Sequence, residues 1–109
     1  MAESYTKLAD SDPGAATATT LYTVPSSTEI VVSVLTVANR STVATSFRVG
    51  VDAGGTGDAN AQWSYYDCAI AGNETVEVMQ GATLSATDLV RIYATLATLS
   101  FNLYGVKKT

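Results

Sequence analysis

The run Glu29-Ile-Val-Val-Ser-Val-Leu-Thr-Val-Ala-Asn39 decides the fold. Its β-branched Val, Ile and Thr favour a pleated strand over a helix. Strict alternation places Val31, Leu35 and Val37 on one face and Ile30, Val32 and Val34 on the other. Both faces are apolar for part of the length. That predicts a central strand, or one whose outer face meets another chain.

Similar runs lie on either side. Upstream, Thr19 to Val24 ends at the turn signal Pro25-Ser26-Ser27. Downstream, Arg40-Ser41-Thr42 turns into Ser46 to Val51, with Phe47, Val49 and Val51 inward and Arg48 and Gly50 outward. Asp52 to Asn60 is a loose surface loop. Trp63 to Ile70 is an aromatic strand, followed by Thr75 to Met79, Leu89 to Ala94 and Thr98 to Tyr104. Leu84 is expected to tuck back onto the core. Leu84 to Ala97 has some helical period, but its Thr, Val and Ile favour strands. The result is an all-β chain: a small antiparallel β-sandwich of about seven strands, immunoglobulin-like or jelly-roll-like. The two topologies alternate in the same way and stay unseparated.

Residues 1–18 read differently. Asp10-Ser11-Asp12-Pro13-Gly14 is dense in turn formers, and Ala15 to Ala18 has no amphipathic period. The expectation is an extended N-terminal arm over 1–18 and a single sandwich domain over 19–109.

The 109 residues suit one core. The net charge of −4 argues against general nucleic-acid binding, which rests on neutralising phosphates. Without His, the usual general base, metal ligand and pH switch are missing. A single Cys excludes an intramolecular disulfide and a Cys-based zinc site. Only 15% of residues are charged, well below the usual quarter. Such a neutral surface suits one covered by neighbours, and weakly charged edge strands call for partner chains. Met1 to Lys7 lacks a basic region followed by an apolar run, and no stretch approaches a membrane span. The chain is expected to be made in a cytoplasm and used without export or membrane insertion.

No residue pattern points to catalysis. Gly-x-Ser-x-Gly does not occur, and Gly54-Gly55-Thr56-Gly57 lacks both the Lys and the following helix of a phosphate loop. Asp52, Asp58, Asp67, Glu74 and Glu77 leave open a carboxylate pair of the kind used in glycoside hydrolysis, but they are few and most sit in turns, where Asp is ordinary. Asp10 with Asp12, and Asp52 with Asp58, lack the ligand spacing of a calcium loop. The reading is no enzyme, no cofactor and no dedicated metal site. Cys68 is expected on one face with Tyr66 and Ile70, as a structural thiol. Trp63 and Tyr65 are expected on the face opposite Tyr66. This aromatic cluster reads as core, as protein interface or as a sugar-stacking site.

Several ordered motifs carry a resemblance. In the first half they are Thr19-Thr20-Leu21-Tyr22-Thr23-Val24-Pro25, Val31-Val32-Ser33-x-Leu35, Val37-Ala38-Asn39-Arg40 and Thr45-Ser46-Phe47-Arg48. In the second half they are Tyr66-Asp67-x-x-Ile70-Ala71-x-Asn73-Glu74-Thr75, Leu84-x-Ala86-x-Asp88-x-Val90-Arg91-x-Tyr93-Ala94 and Ala97-Thr98-Leu99-Ser100-Phe101. Over these motifs, from about Ala15 to Gly105, the chain resembles small virion structural proteins of tailed bacteriophages. The resemblance implies a non-enzymatic virion protein made in the host cytoplasm. It implies a homo-oligomer, with a trimer as one form, whose partners are the major capsid protein or tail proteins. Capsid decoration, or cement, is the first reading. A tail, tail-tip or baseplate component is the alternative within the family, and a host-glycan-binding module is the alternative outside it. The interface candidates are Tyr5 and Lys7 in the arm, and Trp63, Tyr65 and Tyr93 in the sandwich.

Overall fold

The structure, a computed structural model, describes residues 3–57 and 60–109. Met1 and Ala2 of the expected arm, and the candidate carboxylate Asp58, lie outside the described residues. Among the described residues the strands are β1 (Glu3–Ser11), β2 (Thr19–Thr23), β3 (Glu29–Asn39), β4 (Thr45–Asp52), β5 (Trp63–Ile70), β6 (Thr75–Val78), β7 (Thr83–Leu84), β8 (Leu89–Ala94) and β9 (Leu99–Lys108). Short 3₁₀ turns occur at Ala53–Gly55 and Asn60–Gln62. No helix among the described residues is long and apolar enough to cross a membrane.

The strands form two antiparallel sheets. Sheet one has the order β1-β9-β3-β6, with β7 also pairing β3, and sheet two has the order β2-β8-β4-β5. With the two-residue β7 set aside, the remaining strands run first-last-third-sixth and second-seventh-fourth-fifth. That order is a jelly roll, so the structure separates two topologies that alternation leaves open.

The strands read from the sequence are present, and β1 and β7 join them. β7 is too short to show a period, and its Leu84 is buried as expected. β1 lies in the segment read as an arm: Glu3 to Ser11 pair antiparallel with Lys108 back to Phe101 of β9, so this stretch is part of the sandwich. The strand carries few apolar residues, and its sequence shows no buried face. Backbone pairing holds it, and Leu8 and Ala9 pack against the core.

β3 is central, between β9 on one side and β6 and β7 on the other. Its two apolar faces have one cause. The pairing with β9 slips by a residue between Val32 and Val34. This bulge reverses the alternation, so Ile30 and Val32 before it, and Leu35 and Val37 after it, all point into the core. Val31 and Val34 are left half-buried on the outside.

The core lies between the sheets. Sheet one supplies Ile30, Val32, Leu35, Val37, Leu99, Phe101 and Leu103, and sheet two supplies Phe47, Val49, Ile70, Val90 and Ile92. Phe47 and Phe101 meet edge to face across the sandwich, with centroids 6.5 Å apart and planes at 74°. At one end, buried Asn39 donates from Nδ2 to the carbonyls of Val43 (2.8 Å) and Ala71 (3.2 Å) and accepts from the Ser41 amide (3.1 Å). Its polar atoms are thereby satisfied where burial would otherwise be costly. The adjacent loops approach so closely that a Cβ on Gly72 would collide with the Thr42 carbonyl group.

Truncating a ring at the inter-sheet contact leaves a cavity that both sheets line. Phe101→Ala is expected to lower the unfolding free energy by about 3–5 kcal/mol in urea titrations. A loss below about 1 kcal/mol would contradict this packing.

Candidate functional site

The outer face of sheet two gathers a cluster of polar and aromatic side chains. β4 presents Arg48 there and β8 presents Tyr93, directly opposite each other in the register. The third contribution comes from β5 through an irregularity. Phe47 pairs with Cys68 and Val49 with Tyr65, so two residues of β5, Tyr66 and Asp67, stand opposite Arg48. Asp67 takes φ +49°, a left-handed conformation that Asp adopts more readily than most residues.

This arrangement surrounds one guanidinium. Arg48 Nε donates to Asp67 Oδ1 at 2.7 Å, and the Arg48 Nη2 to Asp67 Oδ2 distance is 3.5 Å. The Arg48 carbon Cζ lies 4.1 Å from the Tyr66 ring centroid and 4.2 Å from that of Tyr93. These are cation–π distances. The hydrogen bond to Asp67 holds the guanidinium pKa above its already high ordinary value, against the opposing effect of desolvation. Tyr66 remains 55% exposed, so one aromatic surface stays open to solvent. Arg and Tyr are enriched at interface hot spots, and here neighbouring side chains fix them in place. The face continues to Ser46 and Thr95, whose hydroxyl oxygens are 2.6 Å apart.

The bulges also redistribute the expected aromatics. Tyr65 opposes buried Val49 and packs against the core, where its hydroxyl accepts the Met79 amide hydrogen at 3.1 Å. Trp63 opposes Gly50 and is half-buried. Trp63 and Tyr65 therefore do not share a face, because a second register shift separates Val49 from Gly50. Cys68 packs with Ile70 at the core, away from Tyr66, because the irregularity at Asp67 intervenes. Tyr5 and Lys7 lie on β1 of the other sheet, where Tyr5 is 81% exposed and Lys7 pairs with Asp10 at 2.9 Å. The structure thus brings Tyr93 together with Arg48, Tyr66 and Asp67, and leaves Tyr5 and Lys7 on a second surface. The alternation of β4 turns Arg48 outward, but nothing in the sequence marks the bulge that brings Tyr66 and Asp67 to it.

One end of the same face is covered by the loop after β4. Asp52 pairs with Leu89 and would face outward by alternation, yet it is fully buried. Its Oδ1 accepts from the Thr56 amide (2.9 Å), the Thr56 hydroxyl (3.2 Å) and Gln62 Nε2 (3.1 Å), and Oδ2 accepts from the Gly57 amide (3.0 Å). Asp88 ties the same loop down by accepting the Gly54 amide hydrogen at 2.9 Å. Gly50 allows the return into β5, since a Cβ there would collide with the Gln62 carbonyl group. The glycine-rich segment is thus a cover built around a carboxylate, with the Thr56 and Gly57 amides committed to Asp52.

Burial alone would push the Asp52 carboxyl up. The Gly57 and Thr56 amides, the Thr56 hydroxyl and the positive field of Arg91 outweigh it and hold the pKa below its ordinary value. A depressed folded pKa stabilises the fold above the unfolded value, about pH 4, and that contribution is lost as pH falls through the folded value. Asp52→Asn should therefore melt at a lower temperature than the parent at pH 7, with the gap narrowing as the pH drops well below about 4. Coincident melting curves at pH 7 would contradict the anchoring role of this carboxylate.

No protein-family model and no curated protein matches the chain. Among solved structures it is similar to a pentameric capsid protein isolated from metagenomic phage sequences, with 16% sequence identity and a TM-score of 0.41. The match takes in 94% of this chain and 61% of that one, so the chain spans less than two thirds of that protein's length.

Proposed function

We propose that this chain is a structural protein of a bacteriophage virion, acting as a homo-oligomeric capsid decoration or cement protein. The ordered motifs between Thr19 and Phe101 carry the virion part of the reading. The jelly-roll strand order agrees with it by analogy of fold, since viral capsid domains are among those built this way. The outer face of sheet two supports the contact part. Arg48 is held between Tyr66, Tyr93 and Asp67, and it offers a rigid polar-aromatic anchor with little side-chain freedom left to lose on docking.

A cement protein works by adding contact area between capsid neighbours that internal DNA pressure would otherwise separate. Each contact is weak, and symmetry repeats it around the shell. The low charge of the chain suits such contacts, because few ionic groups must be desolvated. A tail component would use the same anchor on a different neighbour. A glycan-binding module would use the exposed Tyr66 ring to stack on a sugar. One experiment separates the three.

Purified chain is added to phage particles that lack it, and binding is followed by sedimentation and by electron microscopy of labelled protein. The parent is expected to bind heads and to raise the temperature at which DNA is released. Tyr66→Ala combined with Tyr93→Ala should remain folded and bind at least about tenfold more weakly. Label confined to tails would replace decoration with the tail reading. Binding that is unchanged in the double variant would overturn this face as the contact. Failure to bind particles, together with binding to a glycan array, would overturn the virion reading.

A further inference from the structure

We propose that the free edge of β1 is a docking strand for a second copy of this chain, paired antiparallel about a two-fold axis at Tyr5. This deepens the homo-oligomer part of the proposed function and rests on it. It assigns the contact to a surface other than the Arg48 cluster.

β1 is the terminal strand of sheet one, and among the described residues no strand lies beside its outer edge. Glu3 to Lys7 are exposed on both faces of the strand. A long exposed edge is a template for another strand unless charges oppose the pairing. Here the charges favour one pairing. Glu3, Tyr5 and Lys7 alternate onto the same face, the outer face of sheet one, with opposite charges spaced evenly about the aromatic. In an antiparallel self-pairing centred on Tyr5, Glu3 of each copy stands opposite Lys7 of the other, Ser4 opposes Thr6, and the two Tyr5 rings adjoin. Opposite charges and paired aromatics are both favourable cross-strand neighbours. Lys7 is free to exchange partners, because its ion pair with Asp10 is solvent-exposed and contributes little.

The rest of the sheet extends each row. Tyr5 pairs with Val106, which pairs with Val31, so the axis lies at the end of an apolar row that the second copy would double. Glu3 pairs with Lys108, which pairs with Glu29. Lys7 of the second copy would continue this alternation of charge. Of the registers centred on an outward-facing residue of this stretch, the other two are poorer. Centring on Lys7 sets Lys7 against Lys7, and centring on Glu3 sets Glu3 against Glu3. The bulge between Lys7 and Ala9 then limits the regular pairing to the Glu3–Lys7 stretch. A two-fold contact of this kind gives dimers and even-numbered assemblies, a different symmetry from a trimer.

The test is sedimentation equilibrium of the full chain over the micromolar to millimolar range, with charge reversals. The parent is expected to form dimers. Lys7→Glu sets two carboxylates against each other across the axis and should weaken dimerisation about tenfold or more. Adding Glu3→Lys to that variant restores opposite charges and should restore association, even though the Lys7 contact with Asp10 stays broken. Circular dichroism of each variant checks that the sandwich is intact. Association that is unaffected by Lys7→Glu would overturn the β1 interface and leave the homo-oligomer reading in place. So would a double variant in which the second change brings no recovery. A parent that is monomeric throughout would overturn both.

Discussion

The antiparallel pairing of β3 with β9 is the contact on which the rest of the structure depends. It runs from Glu29 against Lys108 to Asn39 against Leu99, and it carries the inner faces of both strands into the core. Everything else in sheet one attaches to it, with β1 on the far side of β9 and β6 and β7 on the far side of β3. The single bulge within it makes a run of apolar residues serve one core face. Without that slip, either Ile30 and Val32 or Leu35 and Val37 would point to solvent. Burying such a side chain is worth roughly 1.5–3 kcal/mol, so no other register competes.

Sheet two uses the same device for a different end. Where β3 employs a bulge to keep side chains inside, β5 employs one to put Tyr66 and Asp67 outside, opposite Arg48. The resulting cluster is held from three strands, by an ion pair from β5 and aromatic faces from β5 and β8. An exposed ion pair alone contributes little. Its value here is positional, since a fixed guanidinium between rings is a preorganised contact. The loop pinned on Asp52 closes one end of this face. The cluster on sheet two and the edge of β1 on sheet one lie on different sheets. In the proposed assembly the edge receives a second copy, and the cluster receives a different partner.

Most of the sandwich is legible in the sequence because its strands alternate. Phe47 and Val49 of β4, Val90 and Ile92 of β8, and Leu99, Phe101 and Leu103 of β9 are buried as period two requires. β1 is not legible, since a strand held by its backbone at a sheet edge needs no apolar period. The facing of Trp63, Tyr65, Tyr66 and Cys68 is not legible either. Bulges reset the alternation, and their positions depend on the partner strand rather than on local sequence. Strand order is likewise a property of long-range pairing, so the jelly roll emerges only in three dimensions. Of the candidate contact residues, Tyr93 lies in the outer cluster, Tyr65 packs against the core and Trp63 is half-buried. Arg48, which organises the cluster, reads in the sequence only as an outward residue.

A neutral surface, a platform fixed around Arg48 and a sheet edge with matched charges suit a chain that acts by being assembled many times. The most direct test of the proposed virion role is the copy number of the chain in purified particles of a phage that carries its sequence, measured by quantitative mass spectrometry against the major capsid protein. Decoration of the head requires a ratio equal to that of a capsid subunit or a simple fraction of it. A ratio far below that would contradict decoration of the head, and absence from the particle would contradict a virion role altogether.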